Sequence, residues 1–416
     1  MSSIEINNTI KTLKKGGIIV YPTDTVWGIG CDATNYNAVQ KIFKIKKRKK
    51  SKAMICLVND INMLKQYVEY IPDAAEDILK YSQKPTTIIY EKPKHIAVLT
   101  SGGDAPGMNA AIRAVVRTCA FYKIECVGIY RGYQGMIEGD FKDLNARSVN
   151  HIINKGGTFL KTARSQEFRT KEGRKLAYDH LVKKNIDALV LIGGDGTFTG
   201  GMIFNKEYNF PVIGIPGTID NDILGTNFTL GYDTALNTAV EAIDKIRDTA
   251  SSHKRLFFVE VMGRDVGHIA LNAGVGSGAE EILVPEENLG LDRLLESLRK
   301  SRKTGKSSTI VLVAEGDKTG NNVFELRDYV EENLKDYDVR VSVLGHMQRG
   351  GAPSCFDRVL ASKMGVKAVE SLMHGKNNVM VGTINNIIEL YPIDKAVKGH
   401  TKIDEELLRV SDILNI

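Results

Sequence analysis

The chain has 416 residues, 43% of them hydrophobic and 25% charged, enough for two or three domains with proper cores and ordinary for a globular protein. No run of 18 apolar residues occurs and no basic stretch followed by an apolar core opens the chain, so neither a membrane span nor a secretory signal is expected. The formal charge of +6 hints at nucleic acid only until it is divided: residues 1–94 carry 16 lysines and arginines against 9 acidic residues, while residues 95–416 carry 40 against 41.

Taken in chain order, the basic surplus concentrates in Lys41 to Lys52. Such a run more commonly marks a solvated helix face than a binding surface, so nucleic acid is not expected as a partner. At Glu91-Lys92-Pro93-Lys94 proline and charge interrupt the pattern, and a fresh strand, His95 to Thr100, begins at once. That places a domain boundary between residues 1–93 and 94–416. Beyond it, buried strands alternate with amphipathic helices: a helix from Met108 to Tyr122, strands Glu125 to Ile129, Ala188 to Ile192 and Pro211 to Ile215, and further strands opening at Arg255 and Thr309. This rhythm predicts an α/β fold of parallel sheets with helices on both faces. The five cysteines, Cys31, Cys56, Cys119, Cys126 and Cys355, form no CxxC pair and leave one over, which fits a reducing cytoplasm.

Three glycine-rich loops follow predicted strands. The first is Ser101-Gly102-Gly103-Asp104-Ala105-Pro106-Gly107, running into a helix. Its free amides make a fair anion site, although a Gly-Pro turn entering a helix is common for purely structural reasons. The second is Gly193-Gly194-Asp195-Gly196-Thr197 and the third Pro216-Gly217-Thr218-Ile219-Asp220-Asn221-Asp222. Both put glycines and carboxylates at a strand's carboxyl end, where open α/β sheets hold their ligands. Glycine lets a backbone approach a phosphate, and an aspartate nearby holds a divalent metal or takes a proton from a hydroxyl. Gly305-Lys306-Ser307 has Lys300 where a P-loop would need its first glycine, so a P-loop kinase is excluded. What remains is the inventory of a phosphoryl-transfer site of another kind.

Residues 95–416 resemble the ATP-dependent 6-phosphofructokinase family of bacterial type over their whole length. The resemblance runs from LTSGGDAPGMNAAIR through GGDGT, PGTIDND, VEVMGRDVGHIAL and VAEGD to VLGHMQRGG and FDRVLAS. It implies two similar parallel-sheet, Rossmann-like α/β domains with the active site in the cleft between them. It also implies phosphorylation of fructose 6-phosphate by ATP with Mg²⁺, and a homotetramer whose sugar site borrows arginines from a neighbour. By the same resemblance Asp220 is the base that takes the proton of the sugar 1-hydroxyl, with Thr218 and Asp222 beside it, and Asp195 holds Mg²⁺. ATP lies against Gly103, Arg164, Ser165, Gly194, Gly196 and Thr197, and Arg164 and Arg264 meet the charge that shifts during transfer. Arg255, Met262, Gly263, Arg264, Glu315, Arg340, His346 and Arg349 line the sugar site, with Arg255 and Arg340 as the two reaching in from a neighbour. Relatives that use pyrophosphate carry Asp where this chain has Gly196 and Lys where it has Gly217, so ATP is favoured, a pyrophosphate-dependent enzyme being the alternative. Arg113, Arg117, Arg247, Glu280 and Lys306 match an effector site for nucleotide diphosphate or phosphoenolpyruvate. Ala146, Thr304 and Ser307 stand there in place of basic residues, which should weaken it.

The N-terminal stretch Gly16 to Ala33, followed by Lys46-Lys47-Arg48 and a strand Met54 to Val58, resembles the YrdC-like threonylcarbamoyl-adenylate synthase family, as does Lys84 to Tyr90. Roughly half of such a domain is missing by ordinary domain size. A sheet cut in half exposes an edge and an unsealed core, so this truncated α/β segment is expected to be an inactive appendage. Binding of nucleotide or tRNA by it is the alternative.

Overall fold

The computed structural model describes residues 3–22, 27–47, 62–63, 93–253, 255–287, 290–303 and 308–414. The chain divides into two compact units, Met1–Thr86 and Thr87–Ile416. The first holds helices Ser3–Lys14 and Tyr36–Ile45, and between them an antiparallel pair, β1 (Ile18–Pro22) and β2 (Trp27–Cys31), with Val20 opposite Ile29. Asn35 starts its second helix by accepting a hydrogen bond from Ala38 N at 3.1 Å, the usual work of an N-cap. The strand Met54 to Val58 and the stretch Lys84 to Tyr90, expected from the sequence, lie outside the described residues, as do Thr23 to Val26 and Arg48.

Among its described residues the second unit contains two sheets. The larger has seven strands in the order β13 (Ile387–Pro392), β12 (Val379–Ile384), β7 (Val212–Pro216), β6 (Ala188–Gly193), β3 (His95–Thr100), β4 (Glu125–Ile129) and β5 (Phe141–Leu144). Its five inner strands are parallel, while β5 and β13 close the edges antiparallel. The smaller sheet is parallel throughout, in the order β11 (Asp338–Val343), β8 (Arg255–Val261), β10 (Thr309–Ala314) and β9 (Glu281–Leu283). The two sheets are therefore alike in class but unequal in size, and the larger one is mixed, with antiparallel strands at both edges of its parallel centre.

Side-chain alternation explains how the sheets are buried. Ile96, Val98, Val190, Ile192, Ile213 and Ile215 face one side of the larger sheet, in a cluster shared with Val259, Val261, Ile310 and Leu312 of the smaller one. Ala97, Leu99, Leu189, Leu191 and Val212 face the other side and pack on Phe198 and Phe204. A third cluster, including Leu256, Phe258, Val311 and Val313, seals the outer face of the smaller sheet. One core thus lies between the sheets and one outside each. Helices Met108–Phe121 and Cys355–Met373 pack closely where Gly365 meets Ala111 and Ala114; a Cβ at Gly365 would stand 2.5 Å from Ala114 Cβ.

Candidate active site

Strand register brings the three glycine loops to one edge. Thr100 of β3 lies beside Ile192 of β6, and Gly193 of β6 beside Pro216 of β7. The loops that follow leave the sheet together at its carboxyl end, the place where such sheets hold ligands. In the smaller sheet Val261 and Ala314 are neighbours, so Met262, Gly263 and Arg264 emerge beside Glu315. Leu344 N donates to Glu260 O at 3.0 Å, which starts the 3₁₀ turn Gly345–Arg349 from the same end.

Arg264 joins the two sets. Its backbone N donates to Glu315 Oε1 at 2.7 Å, and its φ of +55° lies in the left-handed region that a non-glycine residue adopts only when held there. Its guanidinium reaches Asp195 Oδ1 at 3.3 Å and stands 4.0 Å from Asp220 Oδ2. Burial works against the guanidinium charge, but Asp195, Asp220 and Asp222 outweigh it and hold the pKa above the ordinary arginine value.

Asp220 is 2% exposed, and its Oδ1 has no hydrogen-bond partner among the described residues. A buried carboxylate oxygen left in that state is costly and unusual in a folded chain. Burial pushes its pKa above the usual aspartate value, with Glu315 adding to the rise and Arg349, Arg264 and Thr218 opposing it. Asp222 is raised as well, first by burial and then by the charges of Asp220 and Asp195. The loop between them is fixed by its own contacts. Asn221 sits at φ +54°, its Oδ1 accepts from Thr229 N at 2.8 Å, and Thr229 Oγ1 donates to Thr218 O at 2.6 Å. His400 Nδ1 lies 3.5 Å from Asp222 Oδ2.

The side expected to take the nucleotide is built from the first two loops. Gly194 is extended immediately before the helix Asp195–Tyr208, whose first amides are free to face an anion. Thr197 Oγ1 is buried without a partner among the described residues, while Thr197 O accepts from Tyr133 Oη at 2.5 Å. Arg349 comes across from the smaller sheet, its Nη1 donating to Asp104 O at 3.2 Å. A Cβ on Gly103 would stand 2.8 Å from that same nitrogen, so a side chain there would push the end of Arg349 aside. Around Gly196 the space is open, with nothing within 4 Å of a Cβ position. Ser165 Oγ bonds Gln134 Oε1 at 2.8 Å, and Arg164 is exposed next to it.

Two expected sugar ligands lie elsewhere. Arg255 opens β8 at the end opposite Met262, and it pairs with Asp338 Oδ2 at 2.8 Å; Arg340 pairs with Asp338 Oδ1 at 2.7 Å. Arg255 beside it, together with Arg340, holds the Asp338 carboxyl below its ordinary pKa. Within one chain these two arginines do not meet Asp220. His346 is exposed on the 3₁₀ turn. Of the effector residues, Arg247 Nη1 meets Glu280 Oε1 at 3.3 Å, and Arg113 and Arg117 stand on the helix Met108–Phe121. Lys306, with Thr304 and Ser307, lies outside the described residues.

Sequence reasoning missed Tyr133, Thr229, His400 and the buried Gln348, whose Oε1 also lacks a partner among the described residues. Gln348 stood inside the VLGHMQRGG stretch, a signal that could have singled it out. His400 had none, because its partner lies far away in sequence.

Residues 95–372 match the family model described as Phosphofructokinase. A second model, described as Telomere recombination and named for Sua5, YciO and YrdC proteins, matches residues 11–116 and overlaps the first across β3. The chain is 51% identical over 323 residues to ATP-dependent 6-phosphofructokinase 2 of Bacteroides thetaiotaomicron, covering 78% of this chain and 99% of that protein. It is 53% identical over 321 residues to ATP-dependent 6-phosphofructokinase 1 of Thermus thermophilus, covering 77% and 99%. Among solved structures, phosphofructokinase from Saccharomyces cerevisiae aligns with a TM-score of 0.71 at 36% identity, over 77% of this chain and 46% of that one, so the chain spans less than half of the yeast polypeptide. A pyrophosphate-dependent phosphofructokinase from Marinobacter aquaeolei aligns at 0.68 with 20% identity, over 75% and 86%, a likeness of fold.

Proposed function

The chain belongs to the phosphofructokinase family, and from that premise we propose that residues 94–416 transfer the γ-phosphoryl group of ATP to the 1-hydroxyl of fructose 6-phosphate. The products are ADP and fructose 1,6-bisphosphate, and the reaction commits sugar to glycolysis. The observation that carries the chemistry is Asp220: a buried carboxylate with one unpartnered oxygen, at the carboxyl end of β7 and 4.0 Å from a guanidinium. A hydroxyl is a weak nucleophile until a positioned base takes its proton, and a buried carboxylate oxygen with no hydrogen-bond partner among the described residues is free to accept it. Thr218 orders the turn that carries it, and Arg264 places positive charge where the moving phosphoryl group needs it.

ATP is read onto Gly103, Arg164, Ser165 and the turn Gly194 to Thr197. The partly exposed Asp195 suits Mg²⁺, a cation commonly held by one or two carboxylates together with substrate phosphates. When bound, that ion neutralises phosphate charge. Met262, Gly263, Arg264, Glu315, His346 and Arg349 serve the sugar phosphate, with Asp222 beside the base. ATP rather than pyrophosphate is favoured by the open space at Gly196 and the absence of a lysine at 217. Arg255 and Arg340, held near each other on Asp338 and away from Asp220, are read as serving a neighbouring subunit of a homotetramer, the assembly that the family resemblance implies. Arg113, Arg117, Arg247, Glu280 and Lys306 form the effector site of the proposal, and the cytoplasm is its compartment. Residues 1–93 are an appendage to the kinase.

A coupled assay with fructose 6-phosphate and Mg²⁺ tests the reading, with ATP and pyrophosphate supplied in turn. ATP is expected to support turnover and pyrophosphate not to. Asp220→Ser should lower kcat by roughly a thousandfold, the middle of the range for general-base catalysis. A wild-type rate in Asp220→Ser, or equal rates with both donors, would sink it.

A further inference from the structure

A second anchor of the Asp220 loop comes from the far end of the chain. Thr401 lies between the short helix Ile393–Ala396 and the last helix, Glu405–Leu414. Its backbone N donates to Asp222 O at 3.1 Å, and its Oγ1 donates to Asn221 O at 2.7 Å. His268 Nε2 stands 2.9 Å from the same hydroxyl oxygen. A hydroxyl has one proton to give. With that proton on Asn221 O, the contact from His268 has to be a donation, which fixes the Nε2–H tautomer and runs a chain from imidazole through hydroxyl to carbonyl. Burial lowers the pKa of His268, which favours the neutral ring. Tyr232 Oη and Asn272 Nδ2 both donate to His268 O, at 3.1 and 3.0 Å, and so tether that residue in turn.

The two ends of this chain belong to different sheets. His268 opens the helix His268–Ser277 that follows β8, while Asn221 follows β7. Asn221 is the residue held at φ +54°, between the proposed base Asp220 and Asp222. Backbone in that region persists only where surrounding contacts determine it. Thr229 and Asn227 supply such contacts to the Asn221 side chain, Asn221 Nδ2 donating to Asn227 O at 3.1 Å, and Thr401 supplies one to its backbone carbonyl.

We propose that Thr401 is a positioning residue for phosphoryl transfer: its hydroxyl, itself held by His268, keeps Asn221 in the left-handed conformation and thereby aims Asp220 at the sugar hydroxyl. The proposal rests on the reading of Asp220 as the base. It concerns aim rather than affinity, so it bears on kcat and spares KM.

The test is steady-state kinetics of the full-length chain with fructose 6-phosphate, ATP and Mg²⁺, well below the melting midpoint of each variant and normalised to folded protein. Thr401→Val is expected to lower kcat about tenfold or more, because small misplacements of a reacting group are amplified in rate. Both KM values should stay within about twofold, and Thr401→Ser, which keeps the hydroxyl, should restore kcat to a similar margin. Should Thr401→Val fail to fold, His268→Leu removes the donor while leaving the Thr401 segment unchanged, and the same fall in kcat is expected. Unchanged kcat in the variant that folds, or Thr401→Ser as impaired as Thr401→Val, overturns the proposal. A wild-type chain unable to phosphorylate fructose 6-phosphate would overturn the reading of Asp220 along with it, and the two failures are separated by that control.

Discussion

Asp220 is under two opposed demands. Burial disfavours its charge, yet the base that we propose it to be has to be ionised to work, and the arginines around it offset part of the burial. Arg349 is the larger of the two cationic influences and Arg264 the second. The raised pKa puts the acid limb of kcat above the ordinary aspartate value, and Arg349 holds that limb lower than burial alone would. Arg349→Gln, measured at saturating substrate, is therefore expected to move the acid limb of the kcat–pH profile to higher pH, with a plateau approached only above it. A limb that stays in place would show that the charge of Arg349 does not reach the base. Glycine matters at this scale too. A Cβ at Gly103 would displace the tip of Arg349, whereas one at Gly196 would meet nothing within 4 Å, so the two glycines differ in what a side chain would disturb.

Two helices of the second unit are tied together by a cap that crosses the sequence. Asp357, fully buried in the first turn of Cys355–Met373, accepts from Gly231 N and Thr234 N at 2.9 Å each and from Thr234 Oγ1 at 2.5 Å. It thus caps the helix Tyr232–His253 from a different element, while Ser354 Oγ caps Asp357's own helix by accepting from Asp357 N at 3.2 Å. Asp357→Ala strands buried donors and is expected to cost about 2–3 kcal/mol of stability. Asp357→Asn, which keeps an acceptor oxygen, should cost less. Urea denaturation of both variants checks this, and equal stability of wild type and Asp357→Ala would refute it. The sequence showed the FDRVLAS stretch but not this role, because the capped amides lie more than a hundred residues away. Strands β3, β6, β7 and β10 were legible for the opposite reason, since each is a continuous apolar run buried on both faces. The β12–β13 hairpin was overlooked although its signal was local. Asn385 and Asn386, at φ +51° and +65°, form the two-residue turn that right-twisted strands favour. The rhythm of parallel strands and helices gives no sign of it, nor of the antiparallel edge that β13 forms. The site residues were legible as motifs, but their meeting was not. Only register, Gly193 beside Pro216 and Val261 beside Ala314, makes neighbours of loops that the sequence keeps far apart.

Across the whole molecule the two units differ in charge and in how far their described residues are packed. In the first unit the buried apolar side chains among the described residues are Ala38 and Ile42, while Trp27 is 72% and Val20 62% exposed. The second unit carries three apolar clusters that enclose both sheets. Its length is that of an entire relative, since about 320 residues of this chain cover 99% of the Bacteroides and Thermus proteins. The basic surplus sits wholly in residues 1–94, so their removal takes net positive charge from the chain without touching Asp220, Arg264 or Arg349. Surface charge of this kind alters solubility and non-specific binding rather than the geometry of a buried site. Deleting residues 1–93 is thus expected to leave kcat and both KM values within about twofold, because the apolar area that stabilises the active-site edge lies within the second unit. The comparison is to be made by the same coupled assay, with circular dichroism to establish that the shortened chain is folded. A shortened chain that folds but loses activity would mean that the basic segment takes part in building the site, and the division of labour between the two units would have to be redrawn.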